Sequence, residues 1–283
     1  MSFMRKFQAI EVPFNILNSQ IKSEEIYPYI RDEGGNKTIY CVSSIHGRSF
    51  VICQKDNGKW IICKGNGLSY SMHSFLDVSE SDNYVWGGLS RDNAIRDYNI
   101  CNEVNRFGIK TNIMDSVIEL DIQLFDKDTI IKPCLLQYEV ECPYRISDYP
   151  FMPYSARKNA IASWRNLDSK YSELYLIAAE VLVRNLRILH NNKVMHNALH
   201  VQNYTWALEL LDFESSRTEK YPYSNPEYEQ NVLMLINLEI METYEIINYI
   251  GWCLGENIDY MKIDNIFKDY GFYLNNYKLD FYE

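Results

Sequence analysis

The chain is short of positive charge, has no paired cysteine motif and contains no long apolar run, and each shortage removes a class of function. Its 283 residues carry 28 Lys and Arg against 38 Asp and Glu, a formal net charge of -10. Non-specific binding to nucleic acid needs a basic footprint, so that class is set aside, whereas a local basic pocket for a small phosphate ligand is not. The seven cysteines, at 41, 53, 63, 101, 134, 142 and 253, sit mostly in apolar strand-like runs and form no C-x-x-C pair. They read as reduced core residues. No stretch approaches the ~20 apolar residues of a membrane span, and MSFMRKFQAIEVPFN holds no secretory apolar region of about 7–15 residues. The expectation is a cytoplasmic protein that engages neither membrane nor nucleic acid. There is no G-x-S-x-G and no H-E-x-x-H, and His46, His73, His190, His196 and His200 do not pair with cysteines at ligand spacing. Serine hydrolase and zinc chemistry are therefore set aside as well.

What is present describes a folded chain: 47% hydrophobic, 14% aromatic and 23% charged residues. Its length allows two units or one continuous bilobal body. Residues 38 to 64 hold three β-like runs, TIYCVSS, RSFVICQK and KWIICK, split by the turn signals IHG and DNG, which predicts an antiparallel meander. From Ser90 the spacing of Ala94, Tyr98, Cys101 and Val104 predicts a helix that stops at Gly108. SVIELDIQL and TIIKPCLLQYEVE read as further strands. The prolines of CPYRISDYPFMPY suit a hinge. Beyond it, Leu174, Ile177, Ala178, Val181 and Leu182 mark one helical stripe, and residues 226 to 250 a second long helix. The divisions expected are an N-terminal extension at 1–37, a small mainly antiparallel lobe with one helix at 38–142, a hinge at 143–154 and a mainly helical lobe at 155–283. That order describes an α+β, protein-kinase-like two-lobed fold.

Phosphoryl transfer on that fold uses a strand lysine for the phosphates, a catalytic-loop aspartate, and an asparagine and a second aspartate for Mg²⁺. Lys64 ends the third strand of the meander. Asn203 and Asp212 lie nine residues apart in VMHNALHVQNYTWALELLDFESSRT, with the apolar LELL expected as the strand that delivers Asp212. The kinase frame places Ala198 where the proton-accepting aspartate belongs, and an alanine cannot act as a base.

Other motifs resemble the selenoprotein O (SelO) family, protein adenylyltransferases on a pseudokinase fold. KGNGLSYS, Lys64 to Ser71, is similar to that family's K-G-x-G-x-T-x-Y-S with one residue fewer. RDYNICNEVNRFGIKTN resembles R-E-x-L-x-S-E-A-M-x-x-L-G-I-P-T-T with Arg96 and Gly108 in register, and His196 to Asn203 lies over the catalytic loop H-G-V-M-N-T-D-N. The resemblance spans about residues 60 to 215. It implies a cleft that binds ATP with Mg²⁺ or Mn²⁺ and transfers AMP to hydroxyl side chains of a protein acceptor. Lys64, Gly65, Gly67 and Arg145 would hold the nucleotide, Glu103 would brace Lys64 after a one-residue slip that passes over Asn102, and Asn203 and Asp212 would carry the metal. The family's base falls on Gln202, an amide, which leaves His200 as a substitute in the same loop. The family's earlier phosphate-clamp arginine falls on Tyr138. Two alternatives stay open: a catalytically inactive pseudokinase that acts by binding a protein partner, and a small-molecule phosphotransferase, whose H-G-D-L-H-x-x-N loop also resembles HNALHVQN.

Overall fold

Asp56, Asn57 and Gly58 form the turn from which the sheet can be followed outward. Gly58 adopts φ +83°, a region open to glycine, and the Lys55 N–H donates to the Lys59 carbonyl at 2.8 Å to close the hairpin. In the computed structural model, which describes residues 4–19, 25–32, 34–42, 48–66, 88–122, 124–126, 129–223 and 232–272, this turn joins β5 (Ser49–Gln54) to β6 (Trp60–Lys64). β4 (Lys37–Cys41) pairs antiparallel with β5, so the three runs form the expected meander.

The chain divides into two compact units, Met1–Arg157 with Gln202–Ser216, and Lys158–Val201 with Arg217–Glu283. In the first unit, eight antiparallel strands run in the order β2-β7-β10-β6-β5-β4-β1-β3. Residues 1–37, set apart above as an extension, supply three of them: β1 (Arg5–Glu11), β2 (Phe14–Ser19) and β3 (Tyr29–Arg31). β1 lies against β4 and β2 against β7, so this segment is continuous with the sheet rather than appended to it. The two later runs become β7 (Ile113–Leu120) and β10 (Cys134–Val140). A small hairpin of β8 (Leu124–Asp126) and β9 (Thr129–Ile131) lies between them.

Strand alternation gives the sheet two different faces. Phe50, Cys63, Ile118, Leu120 and Leu135 bury one side together with Ala9, Val12 and Ile39. Lys64, one residue on from Cys63, faces the other side. There α1 (Arg91–Arg106) packs on β7 and β10. The helix starts where Ser90 Oγ accepts the Asn93 N–H at 3.3 Å and ends before Gly108, at φ +89°. The first unit also contains a 3₁₀ turn, Ile146–Phe151, inside the stretch read as a hinge. α2 (Tyr154–Trp164) carries the chain into the second unit.

The second unit is helical. α3 (Leu174–Asn191) buries Ile177, Ala178 and Leu182 of the expected stripe, with Leu174 and Val181 only half-buried. α4 (Val232–Leu254) is the second long helix, and residues 226–231 of its expected span lie outside the described residues. α5 (Tyr260–Asp269) is capped by Asp259, whose carboxylate accepts the Lys262 N–H at 3.2 Å. Among the described residues no helix is long and apolar enough to cross a membrane.

Candidate functional site

The last residue of β6 sets the site. A lysine 2% exposed at the end of an apolar strand must be paired, because burying a lone ammonium costs more than the fold can supply. Lys64 Nζ lies 2.5 Å from Asp212 Oδ1, 2.8 Å from Asp97 Oδ2 and 3.3 Å from Glu214 Oε2. Burial alone would lower the pKa of the ammonium, but Asp212, Asp97 and Glu214 outweigh it and hold it above its ordinary value. The lysine and aspartate singled out from opposite ends of the resemblance are thus in direct contact.

Asp97 was not among the expected site residues, yet it ties two parts of the site together. One oxygen takes Lys64, and the other accepts the backbone N–H of Phe213 at 3.0 Å. A single helical carboxylate therefore fixes both the strand lysine and the turn that holds Asp212. Burial raises the Asp97 carboxyl above the usual range against the pull of Lys64, with Asp212 and Glu214 adding to the rise. Glu103, expected to brace Lys64, does not. Ala94, Asp97, Tyr98, Cys101 and Val104 share the buried face of α1, whereas Glu103 lies on the opposite side. The signal that could have found Asp97 is an acidic residue inside an otherwise apolar helical stripe.

Asp212 is delivered by bridges rather than by the strand expected over LELL. Tyr204 bridges Leu210, the Leu208 N–H donates to the Thr205 carbonyl, and the Leu211 N–H donates to the Asn203 carbonyl at 2.9 Å. Leu208 at φ +57° and Asp212 at φ +69° lie in the left-handed region, where aspartate is better tolerated than most side chains. Burial works to raise the Asp212 carboxyl, but Lys64, Arg48 and Arg145 hold it well below the usual carboxylate range. Glu214 is bound bidentately by Arg48 at 2.6 and 2.8 Å. Burial of Glu214 is outweighed by Lys64 and Arg48, so its carboxyl also falls below the ordinary value. Arg96, in register with the family's arginine, donates to the Glu214 carbonyl at 3.0 Å.

Arg145 joins the same neighbourhood, donating to the Gln202 carbonyl at 2.8 Å and reaching Asn203 Oδ1 at 3.4 Å. Gln202 thus enters through its backbone. Asn203 is buried. Gly65 follows Lys64 at φ +96°, and a Cβ there would meet the Cys134 carbonyl oxygen at 2.5 Å. Gly67 lies outside the described residues. His200 belongs to the second unit, where its N–H donates to the Ala198 carbonyl at 3.0 Å. In that unit Glu239 and Glu242 of α4 hold the same loop, accepting the N–H groups of Asn197 at 2.7 Å and Leu199 at 3.1 Å.

A small cleft in the first unit is lined by Arg48, Ser49, Ile62, Tyr138, Arg145 and Asp148, among others. Tyr138, at the position of the family's earlier clamp arginine, is buried there, and burial raises its phenol. Around Lys64, the carboxylates of Asp97, Asp212 and Glu214 are matched by Lys64, Arg48 and Arg145, a dense ion network. Among the described residues no three His, Cys, Asp or Glu side chains gather as a metal cage. Asp212 and Asn203 would offer one carboxylate and one amide oxygen, hard donors of the kind that Mg²⁺ takes together with water and phosphate. Against protein-family models and curated proteins alike, the chain finds no match.

Proposed function

We propose that this chain has a protein-kinase-like, two-lobed fold related to the SelO family, and that it binds ATP with Mg²⁺ beside Lys64. The contact between Lys64 and Asp212 at 2.5 Å carries the reading. A strand lysine and a turn aspartate 148 residues apart in sequence meet, and these are two of the residue types that phosphate and metal chemistry on this fold uses. The carboxylates of Asp97, Asp212 and Glu214 already engage Lys64, so a polyphosphate entering beside them needs added positive charge, which supports a metal requirement. Mg²⁺, when bound, supplies that charge and shields the phosphate oxygens.

The transfer that follows is adenylylation. The oxygen of an acceptor hydroxyl bonds to the α-phosphorus, the bond from that phosphorus to its bridging oxygen breaks, pyrophosphate leaves, and the hydroxyl proton passes to water. Lys64 and Arg145 would hold phosphate oxygens, and Asn203 and Asp212 would hold the metal. Gln202 cannot take the proton. Positioning and charge neutralisation remain, and loss of a general base lowers such rates by roughly 10²–10⁴-fold, so the enzyme is slow.

A second reading, a silent pseudokinase that binds a protein partner, is favoured by one observation: an amide and a methyl group, Gln202 and Ala198, stand at both candidate base positions. Incubation with ATP labelled on the α or the γ phosphate separates these. The adenylyl reading predicts α label and no γ label in a protein acceptor. The reverse pattern marks phosphoryl transfer, and no label with ATP binding intact marks the binding module.

A further inference from the structure

Two large aromatic side chains stand out of a stiff stretch of the first unit. Phe151 is 49% and Tyr154 80% exposed, whereas Met152 between them is buried. Pro150 and Pro153 fix φ on either side of Phe151 and Met152, and the Met152 N–H donates to the Tyr149 carbonyl at 3.2 Å. A single exposed aromatic needs no explanation. Two of them on a rigid backbone, close in sequence to a fixed arginine, have the composition of a binding hot spot.

That arginine is Arg157, on α2 three residues after Tyr154. Its guanidinium carbon lies 4.3 Å from the centre of the Tyr149 ring, and that ring rests against the buried Trp206, 5.3 Å between centroids. Arg157 Nε donates to the Met152 carbonyl at 2.9 Å. The stacking and this one bond orient the guanidinium and leave its two terminal nitrogens without a partner among the described residues. A guanidinium already held in place loses little freedom when it binds. The sequence supplies the sign of the surroundings: from Tyr149 to Leu167 the chain holds Arg157, Lys158 and Arg165 and no aspartate or glutamate. Asp148, just before this stretch, is buried and caps the Arg145 N–H at 2.8 Å.

We infer that Phe151, Tyr154 and Arg157 form a docking surface for an acidic segment of a partner protein. A carboxylate of that segment takes the two terminal N–H groups of Arg157, and a neighbouring apolar side chain packs on Phe151 or Tyr154. The planar fork of an arginine matches a carboxylate in this way. Anionic membranes and nucleic acid draw on larger sets of cations, about 4–8 Lys and Arg for a bilayer surface. Here one fixed guanidinium is offered by a chain of net charge -10, which repels an extended polyanion but not a short acidic segment. The surface uses none of the residues assigned to nucleotide or metal.

Fluorescence anisotropy of a labelled peptide, Gly-Glu-Phe-Glu-Phe-Gly, titrated with the full chain tests it. The peptide is expected to bind, and to bind about tenfold more weakly to Arg157→Gln, the scale of one charge-assisted hydrogen bond. Replacing both of its glutamates by glutamine has the same effect on the parent. Tyr154→Ala removes an exposed side chain, keeps the circular dichroism of the parent and weakens the peptide severalfold, so it decides the matter where Arg157→Gln unfolds. No binding to the parent, equal binding of the glutamate and glutamine peptides, or undiminished binding to either folded variant overturns the inference. Tighter binding to a single-stranded oligonucleotide or to phosphatidylserine vesicles than to the peptide overturns the choice of partner.

Discussion

Lys64 Nζ and Asp97 Oδ2 lie 2.8 Å apart, both side chains 2% exposed, and that pair locks α1 to the end of β6. The carboxylate reaches from the buried stripe of the helix and holds the Phe213 N–H with its other oxygen. Asp97→Ala is expected to destabilise the protein by on the order of 3 kcal/mol, because it removes one partner from a buried ion network. Glu103→Ala, on the outer face of the same helix, is expected to stay within about 0.5 kcal/mol of the parent. Urea unfolding of the two variants checks the contrast, and equal losses would mean that the helix is braced from the other side.

Removal of Lys64 has a different signature. Lys64→Ala leaves Asp97, Asp212 and Glu214 facing one another without the ammonium, and a loss of about 3–5 kcal/mol is expected near neutral pH. Asp212 and Glu214 have depressed pKa values in the folded protein, so their contribution is present above the unfolded carboxyl range and is lost as the pH falls through their lowered values. Without Lys64 that depression disappears. The difference in stability between parent and variant should therefore shrink on acidification, as followed by urea midpoints from neutral to acidic pH.

Glu209 behaves in the opposite sense. Burial raises its carboxyl to about 7, although it accepts the Glu141 N–H at 2.8 Å and the Thr205 hydroxyl at 2.8 Å. An acid whose folded pKa is raised binds its proton more tightly in the native state. Its contribution is complete below the unfolded carboxyl pKa, ~4.3, and is lost as the pH rises toward about 7. Glu209→Gln, which stays neutral, should gain stability relative to the parent across that window and hold the gain at pH 8. Thermal melts of both proteins from pH 4 to pH 8 give the difference curve, and a flat difference would show that Glu209 does not titrate there.

Gly65 guards the position of Lys64. At φ +96°, with the Cys134 carbonyl oxygen 2.5 Å and Leu89 Cβ 2.9 Å from where a Cβ would stand, Gly65→Ala is strained in its backbone and blocked in space. A loss above about 2 kcal/mol is expected, since such conformations cost ~1–3 kcal/mol before any clash is counted. Urea unfolding measures it.

The meander and the first helix were legible because their signals are local. Asp56-Asn57-Gly58 supplies a turn, Ser90 a cap, Gly108 a stop, and apolar spacing the buried face. The proximity of Asn203 and Asp212 was also local, a matter of nine residues and a tight reversal. Three features were not. Residues 1–37 supply strands whose partners, β4 and β7, are distant in sequence, and no periodicity within RKFQAIE or FNILNS names them. LELL looks like a strand by composition, but left-handed residues at Leu208 and Asp212 make it a tight reversal. The brace for Lys64 was sought at Glu103 because motif alignment works by register, whereas helical geometry favours the acid on the buried face. That acid, Asp97, was visible in the pattern of Ala94, Tyr98, Cys101 and Val104 and needed only to be asked what it paired with.

The most direct test of the central claim is calorimetric titration of ATP into the protein with and without Mg²⁺, repeated with Asp212→Ala. The account predicts binding that requires the metal and is abolished by the substitution, while circular dichroism shows the variant still folded. Metal-independent binding that survives in folded Asp212→Ala, or no binding to the parent at all, would contradict it.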